Sequence, residues 1–168
     1  FVITIIMVIA IVLLSLFIPG FFSVANLTNV LRQLATLGFL VLGVSLVIII
    51  GQIDLSMATI MTNSAIIGVF VIQRTGNILL AIVTMLLMGI IIGAFNGLFV
   101  GKFRVASFIV TLSVMIIGGG FAAWSSRNLE ISKLPDVYRF IGIGQFGFIP
   151  FQFIIFVIFT TPLSLSIR

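Results

Sequence analysis

Long apolar runs separated by short polar joints set the pattern of this chain. Splitting it at its charges leaves six runs: Phe1 to Ile18, Leu34 to Ile50, Met57 to Ile72, Ile78 to Val100, Ala106 to Ala123, and Ile149 to about Ile167. About 20 apolar residues carry a helix across the hydrocarbon core of a bilayer, so each run is a candidate span. The runs are continuously apolar and lack the alternation of an outer-membrane barrel strand. The pattern therefore predicts an all-α fold, a polytopic transmembrane helical bundle of about six spans forming a single domain over residues 1–168. A cleaved signal peptide applies only to the first run, which has no basic leading segment and no clear cleavage site.

The joints differ in kind. Pro19-Gly20-Phe21-Phe22-Ser23 stops the first helix, and Asn26 to Gln33 reads as a short amphipathic segment at the interface, ended by Arg32. Gln73-Arg74-Thr75-Gly76-Asn77 and Gly101-Lys102-Phe103-Arg104 read as tight polar turns. The longest connector, Trp124 to Phe148, carries Arg127, Glu130, Lys133, Asp136 and Arg139 and has room for a small extramembrane helix. Its Trp124 and Tyr138 suit the headgroup level.

Composition closes off several classes of chemistry. The 168 residues are 62% hydrophobic and 7% charged, and the mean hydropathy is +1.49, so the chain is read as integral to the lipid bilayer. The net charge of +5 comes from cations scattered between apolar runs, with no basic stripe to track phosphates, which removes nucleic acid as a partner. With neither Cys nor His, thiol catalysis, disulfides and the common nitrogen or sulfur metal sites are excluded, so no metal site is expected. No Gly-x4-Gly-Lys-Ser/Thr phosphate loop is present, and no cofactor is expected on this chain. Charge leaves the orientation open. A cytoplasmic N-terminus puts Lys102, Arg104 and Arg168 inside but Arg32, Arg74, Arg127, Lys133 and Arg139 outside.

Asp54 is the one acid in the first 129 positions, in Gly51-Gln52-Ile53-Asp54-Leu55-Ser56 between two apolar runs. A charge at a helix centre in the membrane costs roughly 2.5 to 3.5 kcal/mol on insertion scales, so such residues line a pathway or hold a partner. Gly51 can end one helix while Asp54 or Ser56 caps the next by accepting from an exposed backbone N–H. Non-helical backbone at membrane depth is also tolerated where it lines a cavity, as in the interrupted helices of transporters. The two roles are compatible, and both predict an interrupted helix around residues 51–56.

Two further features lie downstream. Gly89, Gly93, Gly97 and Gly101 recur every four residues and predict a face for close helix packing. Asn96 on the same helix needs partners for its amide, from a neighbouring helix or a polar conduit, and the same holds for Asn63 with Thr62 and Ser64.

The stretch from Leu42-Gly43-Val44-Ser45 to Gly51-Gln52-Ile53-Asp54-Leu55-Ser56 resembles the signature of membrane permeases in bacterial ABC importers of the ribose type, which read Gly-Gly-Ile-Asp-Leu-Ser here. Asn96-Gly97-Leu98 before a basic turn, Phe108-Ile109-Val110-Thr111-Leu112, and Asn26-Leu27-Thr28-Asn29 match in order and spacing over roughly residues 20 to 150. Gln52, Ala58 and Ala106 depart from the pattern, standing where Gly, Gly and Pro are usual. The ending Thr160-Thr161-Pro162-Leu163-Ser164 does not resemble the family's continuation, so the chain is expected to be the N-terminal part of a longer permease.

The resemblance implies a subunit of the bacterial inner membrane that passes a sugar or sugar-like solute inward and does not itself hydrolyse ATP. Its implied partners are a second permease subunit, identical or not, a cytoplasmic ABC ATPase that uses ATP and Mg, and an extracytoplasmic sugar-binding protein. Gly51, Asp54, Ser56, Asn63 and Asn96 are the expected residues of the path or its supporting joints. The rival readings are a secondary transporter or channel with Asp54 as a proton or cation site, and a non-transporting scaffold or fragment.

Overall fold

The structure, a computed structural model, describes residues 1–129 and 134–166, so Glu130, Lys133, Ile167 and Arg168 lie outside the described residues. The chain folds as helices α1 (Val2–Phe17), α2 (Val24–Ile49), α3 (Met57–Thr75), α4 (Ile78–Gly101), α5 (Ser107–Ser125), α6 (Asp136–Ile143) and α7 (Phe151–Ser166). A 3-10 turn, Ser126–Asn128, follows α5. A hairpin of β1 (Gln145–Phe146) and β2 (Ile149–Pro150) precedes α7 and pairs Gln145 with Pro150 and Phe146 with Ile149.

All six apolar runs are helical. Four of them, α2 to α5, are long and apolar enough to cross a membrane. Helices α1 and α7 have 16 residues each, which at 1.5 Å per residue reach roughly 24 Å against a hydrocarbon core of about 30 Å.

The second span begins earlier than expected. Asn26 to Gln33 is not a separate interfacial segment but the first part of α2, which runs unbroken from Val24 to Ile49. The physical reason is that nothing near Gln33 breaks a helix, and the charge of Arg32 is met locally. Its Nη1 donates to Asn29 Oδ1 at 2.9 Å and its Nη2 to the Ile143 carbonyl at 3.0 Å. A cation held by two hydrogen bonds, with its Nε unpartnered among the described residues, is compatible with a continuous helix. The long connector does carry a short helix, α6, together with the hairpin, which the sequence pattern did not announce.

Burial is inverted relative to a water-soluble protein. Thr28, Ser56, Asn63, Ser64, Asn96 and Thr111 are buried, whereas the buried apolar residues are small or few: Ala35, Ile72, Ala81 and Val110. Large apolar side chains such as Leu46, Leu79 and Ile117 face outward. That is the distribution expected where the surroundings are lipid and polar groups must find partners inside.

The chain divides into two compact units, Phe1–Leu37 with Phe140–Arg168, and Gly38–Arg139. In the first, Thr28 Oγ1 donates to the Phe148 carbonyl at 3.0 Å and Gln152 Nε2 to the Gly142 carbonyl at 2.8 Å, while Phe140, Phe146 and Phe151 pack edge-on or tilted with centroids 5.6 to 6.3 Å apart. In the second, α3 packs on both α4 and α5. Its close approaches are made at Gly68, where an added Cβ would meet Met85 Sδ at 2.5 Å, and at Gly118, where it would meet Thr59 Cγ2 and Asn63 Nδ2.

These are not the glycines that the four-residue spacing singled out. Beyond their own helix backbone, Gly89, Gly93, Gly97 and Gly101 have no described atom within 4 Å of an added Cβ. The tight helix pair expected on that face is therefore not made among the described residues. Helix α4 turns a different face to α3, the one carrying Ala81, Met85 and Asn96, because Asn96 has its hydrogen-bonding partner there.

Candidate functional site

The joint between α2 and α3 brings three helices of the second unit together. Helix α2 ends on Gly51 at φ +74°, a left-handed conformation that glycine takes without a Cβ penalty. The Gly51 N–H donates to the Ile48 carbonyl at 2.8 Å and the Gln52 N–H to the Val47 carbonyl at 3.0 Å, the paired bonds of a Schellman end. Residues 52 to 56 then run without helix until α3 begins at Met57.

Each exposed backbone group in such a stretch needs a partner when water is scarce. Helix α5 supplies two. The Ile53 N–H donates to Ser107 Oγ at 3.1 Å, and Thr111 Oγ1 lies 3.4 Å from the Ile53 carbonyl while also bonding the Ser107 carbonyl at 2.9 Å. Asp54 supplies a third, accepting from the Ser56 N–H at 2.7 Å in a turn closed by its own side chain.

Asp54 Oδ1 also accepts from Ser56 Oγ at 2.6 Å, and Ser56 Oγ accepts from Asn96 Nδ2 at 2.8 Å. A serine hydroxyl has one hydrogen. Since Ser56 gives it to Asp54, it meets Asn96 only as an acceptor, which fixes the orientation of the amide. The result is a relay, Asn96 to Ser56 to Asp54, running from near the C-terminal end of one helix to the break between two others. Ser56 is fully buried, Asn96 nearly so, and Asp54 half-buried.

The expected cap is thereby redrawn. Ser56 occupies the residue before α3, but its side chain bonds no helix N–H. It is spent on the relay. Asp54 satisfies the N–H of Ser56 itself, one step ahead of the helix, so the carboxylate closes the turn and does not cap the first helical turn directly.

Asn63 belongs to a different contact. Its Nδ2 donates to the Gly118 carbonyl at 3.1 Å, bridging α3 to α5 about two turns beyond Ser56. The sequence thus grouped five residues of which Asp54, Ser56 and Asn96 are joined by hydrogen bonds, Gly51 shapes the entry, and Asn63 stands apart. Asn63 Oδ1 and Asn96 Oδ1 are buried acceptors with no partner among the described residues. Asn63 also lines an apolar crevice of about 380 Å³ between α3, α4 and α5, together with Thr59, Met88, Phe95 and Val114.

Ser107 and Thr111 were not singled out as site residues. Their signal was present: two hydroxyls four apart at the start of an apolar helix lie on one face. A serine or threonine in a membrane helix usually bonds its own backbone, as Ser113 does to the Ile109 carbonyl at 2.8 Å. Only the fold distinguishes the pair that reaches another segment.

Among the described residues no cluster of His, Cys, Asp or Glu is fit to hold a metal ion. The arrangement offers hydrogen-bonding groups at a helix interruption.

Comparison with known proteins agrees with this chemistry. The ribose import permease protein RbsC of Escherichia coli strain K12 is 30% identical over 143 residues, 83% of this chain and 44% of that protein. RbsC of Bacillus subtilis strain 168 is 35% identical over 144 residues, 84% of this chain and 45% of its own length. The L-arabinose ABC transporter permease protein AraH of Azospirillum brasilense is 26% identical over 133 residues, 79% of this chain and 39% of that protein. The chain therefore spans under half the length of the curated relatives it matches. No solved structure matches it. The model of the family described as branched-chain amino acid transport system / permease component matches residues 26–167. With its interrupted helix and buried polar relay inside that matched region, the chain belongs to this family of transport-system permease components.

Proposed function

We propose that this chain belongs to the membrane permease subunit of an ABC importer that passes a sugar or sugar-like solute across the bacterial inner membrane. The observation that carries the reading is the Asn96–Ser56–Asp54 relay at a helix break within the aligned region. Interrupted helices stabilised by neighbouring groups are where transporters place solutes. Relatives named as a ribose import permease and an L-arabinose ABC transporter permease support a sugar over the branched-chain amino acids of the family's description. The free acceptors Asn63 Oδ1 and Asn96 Oδ1 are of the kind that bond solute hydroxyls or water. A neutral sugar needs few charges along its path, in keeping with a chain that is 7% charged.

In this reading the energy comes from a cytoplasmic ATPase that binds ATP and Mg, the solute is delivered by an extracytoplasmic binding protein, and a second permease subunit completes the passage. This chain contributes positioned dipoles and a shaped joint, and no bond is made or broken on it.

The test is uptake of labelled ribose by cells expressing the complete permease with its ATPase and binding protein. Uptake should need an ATPase competent for hydrolysis and survive collapse of the proton gradient. Gradient-dependent flux through the permease alone would overturn the reading in favour of a secondary transporter with Asp54 as an ion site. Uptake of leucine in place of ribose would move the substrate to the amino acids.

A further inference from the structure

Beyond the contact at Gly118, the C-terminal ends of α3 and α5 leave between them a crevice of about 840 Å³ whose wall includes Phe70, Arg74, Trp124 and Arg127. An apolar crevice of about 550 Å³ shares Ile66 and Leu129 with it and extends along α3 to Met61. From Arg74 to Met61 is roughly 20 Å along the helix axis, at 1.5 Å per residue. A basic, aromatic mouth therefore adjoins a long apolar groove, all within the second unit.

We propose that this paired crevice binds one anionic phospholipid, with the phosphate between Arg74 and Arg127 and an acyl chain along the apolar groove. Charge complementarity is the first argument. Two guanidinium groups line the mouth, and neither Asp54 nor Asp136, the acids among the described residues, lines either crevice. The planar fork of arginine matches phosphate oxygens in pairs. The Arg74 guanidinium lies 5.1 Å from the centre of the Phe70 ring, which gives it an apolar backing.

The second argument selects a lipid over a free phosphate. A soluble anion has no use for the groove that begins at Ile66 and Leu129, whereas an acyl chain does. Trp124, 69% exposed at the rim, is the residue type that settles at headgroup level. Basic pockets between membrane helices hold anionic headgroups on the same physics. A cation near a helix C-terminus is also favoured by the helix dipole. That role alone requires neither the aromatic wall nor the groove, so it leaves half of the arrangement without a purpose. The assignment stands independently of the sugar reading.

The experiment uses the full chain in nanodiscs of phosphatidylcholine doped with phosphatidylglycerol, with retained lipids counted by native mass spectrometry after extraction. The wild-type chain should keep phosphatidylglycerol over phosphatidylcholine by about thirtyfold, as expected for two cations near a headgroup. R74Q/R127Q should abolish that preference with helicity unchanged, and R74K/R127K should keep only part of it, retaining the charge without the paired fork. No preference in the wild type, or an equal preference in R74Q/R127Q, overturns the proposal. Displacement of the lipid by millimolar inorganic phosphate also overturns it, by making the site one for the free anion.

Discussion

At the scale of single residues, Asp54 is a structural acceptor with two bonds on one oxygen. An asparagine can accept both through its carbonyl oxygen, whereas an alanine leaves the Ser56 N–H and hydroxyl without that partner. We expect Asp54→Ala to lower stability in detergent by about 1–3 kcal/mol, the cost of orphaned buried polar groups, and Asp54→Asn to cost clearly less. Thermal unfolding of the two variants checks this. An equal loss in both would mean that the charge itself, and not its hydrogen bonds, holds the joint. Ser56→Ala should fall near Asp54→Ala, since it removes the middle of the relay. The importance of Asp54 and Ser56 was legible in the sequence because an acid and a hydroxyl at an apolar boundary are costly unless used. Their connection to Asn96, 40 residues away, was not. Hydropathy carries no information about which face of one helix meets which loop.

A second residue-scale consequence concerns the one tyrosine of the chain. Tyr138 on α6 directs its hydroxyl to Met85 Sδ at 3.8 Å, and burial pushes its pKa above the usual 10.0. The sign follows from the protonated phenol being favoured in the folded state. Below pH 10 Tyr138 adds no pH dependence, and as the pH rises past 10 the unfolded chain ionises first, so this residue's contribution to stability falls. Absorbance titration of tyrosinate should give a midpoint above 10 in the folded protein and near 10 in denaturant. A midpoint near 10 in both would place Tyr138 in water.

At the scale of elements, the six apolar helices were legible because hydrophobic length is a local property. The start of α2 was misjudged by one segment, since a lone arginine looks like a boundary in sequence and is absorbed in the fold by Asn29 and the Ile143 carbonyl. The face marked by the four-residue glycine spacing has no packing partner among the described residues. Regular spacing marks a face that permits close approach, but approach is decided by the partner helix. Gly118 lies against the stiff, β-branched Thr59, and Gly118→Val should cost about 1–3 kcal/mol through overpacking. Gly97→Val meets open space in this chain and should leave its stability unchanged or slightly raised. Reversal of that order in thermal unfolding would show that the contact at Gly118 is not the tight one. Gly68 falls between these cases because Met85 is flexible enough to yield.

At the scale of the whole molecule, the family and the membrane setting follow from composition and from a matched region covering residues 26–167. Six matched positions of hydrogen-bonding character, at 28, 56, 63, 64, 96 and 111, are buried while large apolar side chains face outward. A water-soluble fold of the same helices would show the reverse. The expectation at this scale is that the purified chain unfolds at once when detergent is diluted below its micellar concentration, read by loss of helicity. Retention of a monodisperse helical species in water would contradict the inverted burial. Solute identity was not legible, because the residues at the joint hydrogen-bond one another and leave few groups to distinguish one solute from another.

The covering of the α2–α3 break has a mechanical consequence. An uncovered break would bend where it lies, because its unsatisfied amides and carbonyls exchange partners at little cost. Here the Gly51 turn is closed on itself, Ile53 is tied to α5 through its N–H with Thr111 set beside its carbonyl, and Ser56 is tied to α4. Displacing α3 alone would require breaking those ties together. The interruption therefore transmits force instead of absorbing it, and a push on α3 is carried to α4 and α5 as to one block.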